Sequence, residues 1–131
     1  MTAVIGQLTI DAADPLALAR WWAQVLGWEM EHDDEEAWLE PPEGTRATGL
    51  LFEHVTDPKS VKNRLHLDIR PADGTDQATE LQRLLDLGAH AVDIGQGDVP
   101  WHVLADPEGN EFCLLRSTPS QLAELMAQSA D

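Results

Sequence analysis

Polar and apolar residues alternate without a break from Arg64 to Arg70, RLHLDIR. That period of two predicts a β-strand with Leu65, Leu67 and Ile69 on one face and Arg64, His66, Asp68 and Arg70 on the other. The polar face brings both signs of charge and an imidazole within reach of one ligand-sized volume. Turned toward a groove it is a site; turned toward bulk water it is an ordinary solvated strand. A different period governs residues 15–26, where Leu16, Ala19, Trp22, Ala23 and Leu26 recur at helical spacing. Asp14-Pro15 supplies a start, an N-cap carboxylate followed by a proline whose missing N–H costs nothing at the first helical position. Gly27 suits the left-handed cap at the other end.

The remaining segments fall into the same two types. Strands are predicted at Val4 to Asp11, Trp28 to Glu31, Ala37 to Glu40 and Gly49 to Val55, with an acidic turn around Asp33-Asp34-Glu35-Glu36 and a second turn at Pro41-Pro42-Glu43-Gly44. After Asp57-Pro58-Lys59 the order begins again. The alternating strand 64–70 precedes a helix from about Asp76 to Leu87, capped by Thr75 and closed by Gly88. Strands at His90 to Ile94, Trp101 to Leu104 and Glu111 to Arg116 follow, the last two joined by the tight turn Asp106-Pro107-Glu108-Gly109-Asn110. Leu26-Gly27 and Leu87-Gly88 end the two helices 61 positions apart, so the chain is a doubled strand-helix-strand-strand-strand unit. A third helix, at about 119–129, starts at Pro119 after Ser117 or Thr118 and carries Leu122, Leu125 and Met126 as its apolar stripe.

At 131 residues the chain is expected to be a single domain, with internal modules at about 1–57 and 62–116. Its 24 acidic against 8 basic residues, a formal charge of −16, exclude a nucleic-acid partner, because a polyanion must be neutralised by Lys and Arg. The same field attracts cationic small molecules, although solubility alone also explains it. No apolar run reaches the length of a membrane span, and the first ten residues lack the basic start of a signal peptide. A lone cysteine, Cys113, excludes an internal disulfide. A cytoplasmic protein is expected.

Asp14-Pro15 leading into Ala19-Arg20-Trp21-Trp22 and Leu26-Gly27-Trp28 resembles the vicinal oxygen chelate superfamily. Lys62-Asn63-Arg64-Leu65-His66-Leu67-Asp68 and Asp106-Pro107-Glu108-Gly109-Asn110-Glu111-Phe112-Cys113 are similar to its glyoxalase-like, bleomycin-resistance-like branch. The resemblance implies an α+β fold of two tandem βαβββ modules forming a curled mixed sheet around a cleft, plus the C-terminal helix, often as a homodimer. Family metal ligands come from the first and fourth strands of each module. Those positions fall here on Gln7, Glu53, His66 and Cys113. The last normally holds a glutamate that also transfers protons, so Cys113 argues against glyoxalase I chemistry.

Imidazole, carboxylate and thiolate together suit one divalent, zinc-like ion, whereas the amide of Gln7 is a weak ligand. The ordinary alternative for Cys113 is a small buried hydrophobe. Aromatic area is almost all indole, five Trp against two Phe and no Tyr. Trp21, Trp22 and Trp28 sit at core spacing, while Trp38 and Trp101 fall on predicted strands, where they face either ligand or helix. Two functions follow. One is a small-molecule-binding protein that sequesters a planar or cationic metabolite or antibiotic, with Trp38 and Trp101 stacking on it and Arg64, Asp68, His66 and Glu53 orienting its polar edge. The other is a metal-dependent lyase, isomerase or dioxygenase acting on a substrate with vicinal oxygens, with Glu53 as base. The changed ligand position favours the first.

Overall fold

A computed structural model describes residues 2–128. The chain divides into two compact units, Met1–Ser60 and Val61–Asp131. In the first, β1 (Leu8–Ala12), α1 (Pro15–Leu26), β2 (Glu29–His32), β3 (Ala37–Glu40) and β4 (Leu50–His54) form a four-stranded sheet in the order β1-β4-β3-β2. In the second, β5 (Leu67–Ile69), α2 (Gln77–Leu87), β6 (His90–Ala91), β7 (His102–Ala105) and β8 (Glu111–Leu114) repeat that order as β5-β8-β7-β6. The third helix, α3, spans Pro119–Gln128, and residue 129 of its expected length lies outside the described residues. Within each sheet the first and fourth strands run parallel and the other pairs antiparallel. The fold is therefore mixed α+β, as the doubled pattern predicts.

α1 begins and ends where the sequence places it. Asp14 accepts from the Ala17 amide at 3.2 Å, and Gly27 takes the left-handed conformation at φ 69° while its N–H reaches Ala23 O. A side chain at Gly27 would be forced into that strained region, which is why glycine closes the helix. The buried stripe is rotated from the expected one: Leu18, Ala19, Trp21, Trp22 and Val25 are buried, while Leu16, Ala23 and Leu26 are only partly so. Two consecutive indoles fit because they meet edge to face, with centroids 5.1 Å apart at 86°. Opposite them, Ala37, Leu39, Leu50 and Phe52 fill the helix-facing side of the first sheet. In the second unit Leu84 is fully buried along with Leu104, Phe112 and Leu114.

Several boundaries differ from the sequence pattern. The strand expected over Arg64 to Arg70 contracts to Leu67–Ile69, and Leu65 is 81% exposed. Alternation predicts which face a residue takes only where a neighbouring strand exists to pair with it, and β8 offers partners only from Phe112 onward. The first strand likewise starts at Leu8, leaving Val4 and Ile5 exposed. The cap of α2 is Asp76, which accepts from Thr79 N at 2.8 Å, rather than Thr75. For α3 the cap is Thr118. Its Oγ1 accepts from the Gln121 amide while Gln121 Oε1 accepts from the Thr118 amide, a reciprocal capping box.

Two carboxylates hold the second unit's connections. Asp106 is buried, and its Oδ1 accepts from the Glu108 and Asn110 amides at 2.9 Å each, while Asn110 Nδ2 donates to both carboxylate oxygens. The Asp-Pro-Glu-Gly-Asn segment is thus a structural hinge pin between β7 and β8. Asp106→Ala should cost ~1–3 kcal/mol, the usual penalty for orphaning buried donors, read as a lower urea midpoint at unchanged slope.

Asp73 accepts from Ser120 N and Oγ at 2.9 and 2.8 Å, fastening the first turn of α3. Those Ser120 donors hold its carboxyl below the usual 3.8. A depressed carboxyl pKa stabilises the fold above the unfolded value and loses that contribution as pH falls through the folded one. Protection of the α3 amides against hydrogen exchange, corrected for the intrinsic pH dependence of exchange, should therefore fall as the solution is acidified below about pH 4. Asp73→Ala should show the lower protection already at neutral pH.

Candidate functional site

The parallel pairing of β5 with β8 sets Asp68 opposite Cys113, flanked by Leu67 opposite Phe112 and Ile69 opposite Leu114. Residues in register share a sheet face, so the two flanking apolar pairs point into the core while Asp68 and Cys113 point the other way. Val103 of β7 extends the same row. His66 stands two residues before Asp68, just outside β5, and its Nε2 lies 3.0 Å from Asp68 Oδ1. One ligand atom each from His66, Asp68 and Cys113 falls within 4.8 Å of the others. The imidazole and carboxylate are half exposed, at 50% and 47%, and the thiol is buried.

Burial pushes the Cys113 thiol up from its ordinary pKa, and the Asp68 carboxylate adds to this both by its charge and by a hydrogen bond, against a smaller opposing pull from Lys62. At neutral pH Cys113 is a protonated thiol. Beside it, Glu111 is largely shielded, with an 11% exposed side chain, and pairs with Lys62 Nζ at 3.3 Å. Sequence spacing places Glu111 on the Cys113 side one pleat away, and the structure commits its carboxylate to that lysine. Arg64 is exposed in the bend before His66, and Trp101, 39% exposed, immediately precedes β7.

The other sequence-predicted residues lie in the first unit. Glu53 on β4 is exposed and stands opposite Asp11; Trp38 on β3 stands opposite Leu51 and donates its indole N–H to Glu31 Oε2 at 3.0 Å. Phe52 and Leu39 fill the helix-facing side, so Trp38 and Glu53 occupy the helix-free face. Gln7 precedes β1 and is exposed. A groove of about 740 Å³ is lined by Asp14, Asp34, Glu35, Glu36, Glu53 and His54. The structure thus brings His66 and Cys113 together, adds Asp68 to them, and keeps Gln7 and Glu53 in the preceding unit. Asp68 is the residue that sequence reasoning assigned to substrate rather than metal. The signal lay in the doubled unit, since pairing its first strand with its fourth in register sets Asp68 against Cys113.

The donor set is chemically coherent. A nitrogen, a carboxylate oxygen and a sulfur bonded to zinc at about 2.0–2.3 Å would sit roughly 3.5 Å from one another, so the observed spacing needs only a small adjustment. The thiol must give up its proton to bind.

Comparison with known proteins agrees with this architecture. A family model described as a glyoxalase-like domain matches residues 7–115. The chain belongs to the glyoxalase-like domain family, within the vicinal oxygen chelate superfamily. No curated protein matches the sequence. Among solved structures, the fosfomycin resistance protein FosX from Mesorhizobium loti superimposes with a TM-score of 0.65 at 13% identity, covering 95% of this chain and 99% of that one. A single-residue mutant of the genomically encoded FosX from Listeria monocytogenes, complexed with Mn(II) and 1S,2S-dihydroxypropylphosphonic acid, gives 0.65 at 14% identity, with 96% and 99% covered. A glyoxalase/bleomycin resistance protein/dioxygenase family enzyme from Burkholderia phytofirmans PsJN gives 0.63 at 17%, with 83% and 94% covered. At these identities the likeness concerns the fold.

A thiol held protonated and buried should alkylate slowly. Iodoacetamide should label metal-free Cys113 at pH 7 at least ~10-fold more slowly than an unhindered thiol. Asp68→Asn, which removes the neighbouring negative charge, should speed the labelling.

Proposed function

We propose that this chain is a metal-dependent small-molecule-binding protein of the superfamily, holding one zinc-like divalent ion on His66, Asp68 and Cys113 and taking a ligand with adjacent oxygens. The observation that carries this reading is the convergence of three different donor atoms within 4.8 Å in one unit. The sequence argument against a metal was the loss of the family's glutamate at Cys113. Asp68, in register with Cys113, offers a carboxylate in its place. Imidazole and thiolate favour a borderline ion over manganese or magnesium, which prefer oxygen. When bound, such an ion supplies Lewis acidity toward the ligand's oxygens.

The chain's own groups fill the remaining roles in this proposal. His66 Nε2 and Asp68 Oδ1 already stand 3.0 Å apart, close to the separation expected of two ligands on one ion. Cys113 releases its proton on metal entry and contributes a charge that partly neutralises the cation. Glu53 is the carboxylate proposed to move a proton, with Gln7 as an auxiliary ligand, both from their family positions. Arg64, Trp38 and Trp101 are proposed to contact ligand. The homodimer and cytoplasmic location implied by the resemblance belong to the same proposal.

Elemental analysis of untagged protein after dialysis against trace zinc tests the reading. About one zinc per chain is expected, with His66→Ala, Asp68→Ala and Cys113→Ser each weakening affinity at least ~10-fold. Cys113→Glu should shift preference from zinc toward manganese. If unmodified protein holds no metal yet binds a planar cationic ligand, the metal-free sequestering function is the right one.

A further inference from the structure

His66 lies in irregular chain. Residues 61–66 belong to no strand, and a ligand on such a segment must be ordered before it can help capture an ion. The side-chain amide of Asn63 supplies that order. Its Nδ2 donates to the Leu65 carbonyl at 3.2 Å and to the Glu111 carbonyl at 3.2 Å. The two hydrogens of one NH₂ group make both bonds at once. The Leu65 carbonyl belongs to the peptide that leads directly into His66. The Glu111 carbonyl lies on β8, two residues before Cys113.

We propose that Asn63 is the positioning residue of the metal site, a bridge that locks the peptide entering His66 to the strand carrying Cys113. The inference rests on the metal-binding reading above. Asn63 is partly buried and reaches the ion only through the residues it holds. The neighbouring Lys62–Glu111 ion pair ties the same segment to β8, but its lysine end is 59% exposed, and a long, solvated ammonium arm fixes the backbone behind it only loosely. The amide is the better clamp because both of its acceptors are main-chain atoms, whose positions are set by the peptide planes of the two elements being joined.

Cobalt titration of the full chain, followed by the thiolate-to-cobalt absorption band, tests the proposal. Asn63→Ala should weaken cobalt binding by about 10–100-fold, the usual effect of losing a group that orients a ligand, while the melting temperature of the metal-free protein stays within a few degrees. Asn63→Asp keeps the size and reverses the donors. It should lose as much and carries the comparison should the alanine variant fold poorly. Lys62→Ala should stay within about threefold of the unmodified protein. In a His66→Ala background, measured at millimolar cobalt, Asn63→Ala should add no further loss, because its effect passes through His66.

Unmodified affinity in both Asn63 variants overturns the inference alone. So does a loss that persists undiminished without His66, or an equal loss in Lys62→Ala. Protein that takes up no cobalt in its unmodified form overturns the metal reading and this inference together.

Discussion

The parallel pairing of a first strand with a fourth strand, made twice, is the constraint on which the other features depend. Parallel neighbours cannot be joined by a tight turn, so the chain must travel away and return. Here the excursion is a helix, which lies against one sheet face, and two strands that extend the same sheet. In-register pairing then decides which residues meet on the opposite face: Asp11 with Glu53 in the first unit, Asp68 with Cys113 in the second. Each candidate metal ligand or proton-moving carboxylate in this protein is placed by one of those two ladders or lies next to its end.

The devices that hold this arrangement are polar as much as apolar. Trp22, Phe52, Leu39, Leu84, Phe112 and Leu104 form the interiors, but connections are disciplined by side-chain carboxylates. Asp14 and Asp76 start helices, Asp106 organises the last hairpin and Asp73 fastens α3. In a chain with net charge −16, part of the acidic excess is therefore committed to backbone amides rather than simply displayed to solvent. Among the described residues no buried side-chain polar atom lacks a partner.

The sequence was most legible where a local rule has a local cause. α1 could be bounded to the residue because proline, an aspartate cap and a left-handed glycine each act within one turn. It was least legible where the cause is remote. The alternation from Arg64 to Arg70 looks like seven residues of strand, yet Leu65 is exposed because its pairing depends on where β8 begins, some 45 positions later. Asp68 was visible as a charged residue on the right face, but its match with Cys113 is a property of a ladder between distant segments. Asn63 stands in the Lys62–Asp68 stretch that carries the resemblance, but the stretch does not show its role, which is to span two carbonyls that come together only in the fold.

All three donors converging near Cys113 come from residues 61–131 alone. A duplicated architecture is often pictured as dividing its ligands evenly between the halves, and this chain does not need to. An imidazole, a carboxylate and a thiol are gathered in one repeat. The two copies of one topology thus carry different donors, a mixed nitrogen, oxygen and sulfur set in the second and an exposed carboxamide and carboxylate, Gln7 and Glu53, in the first.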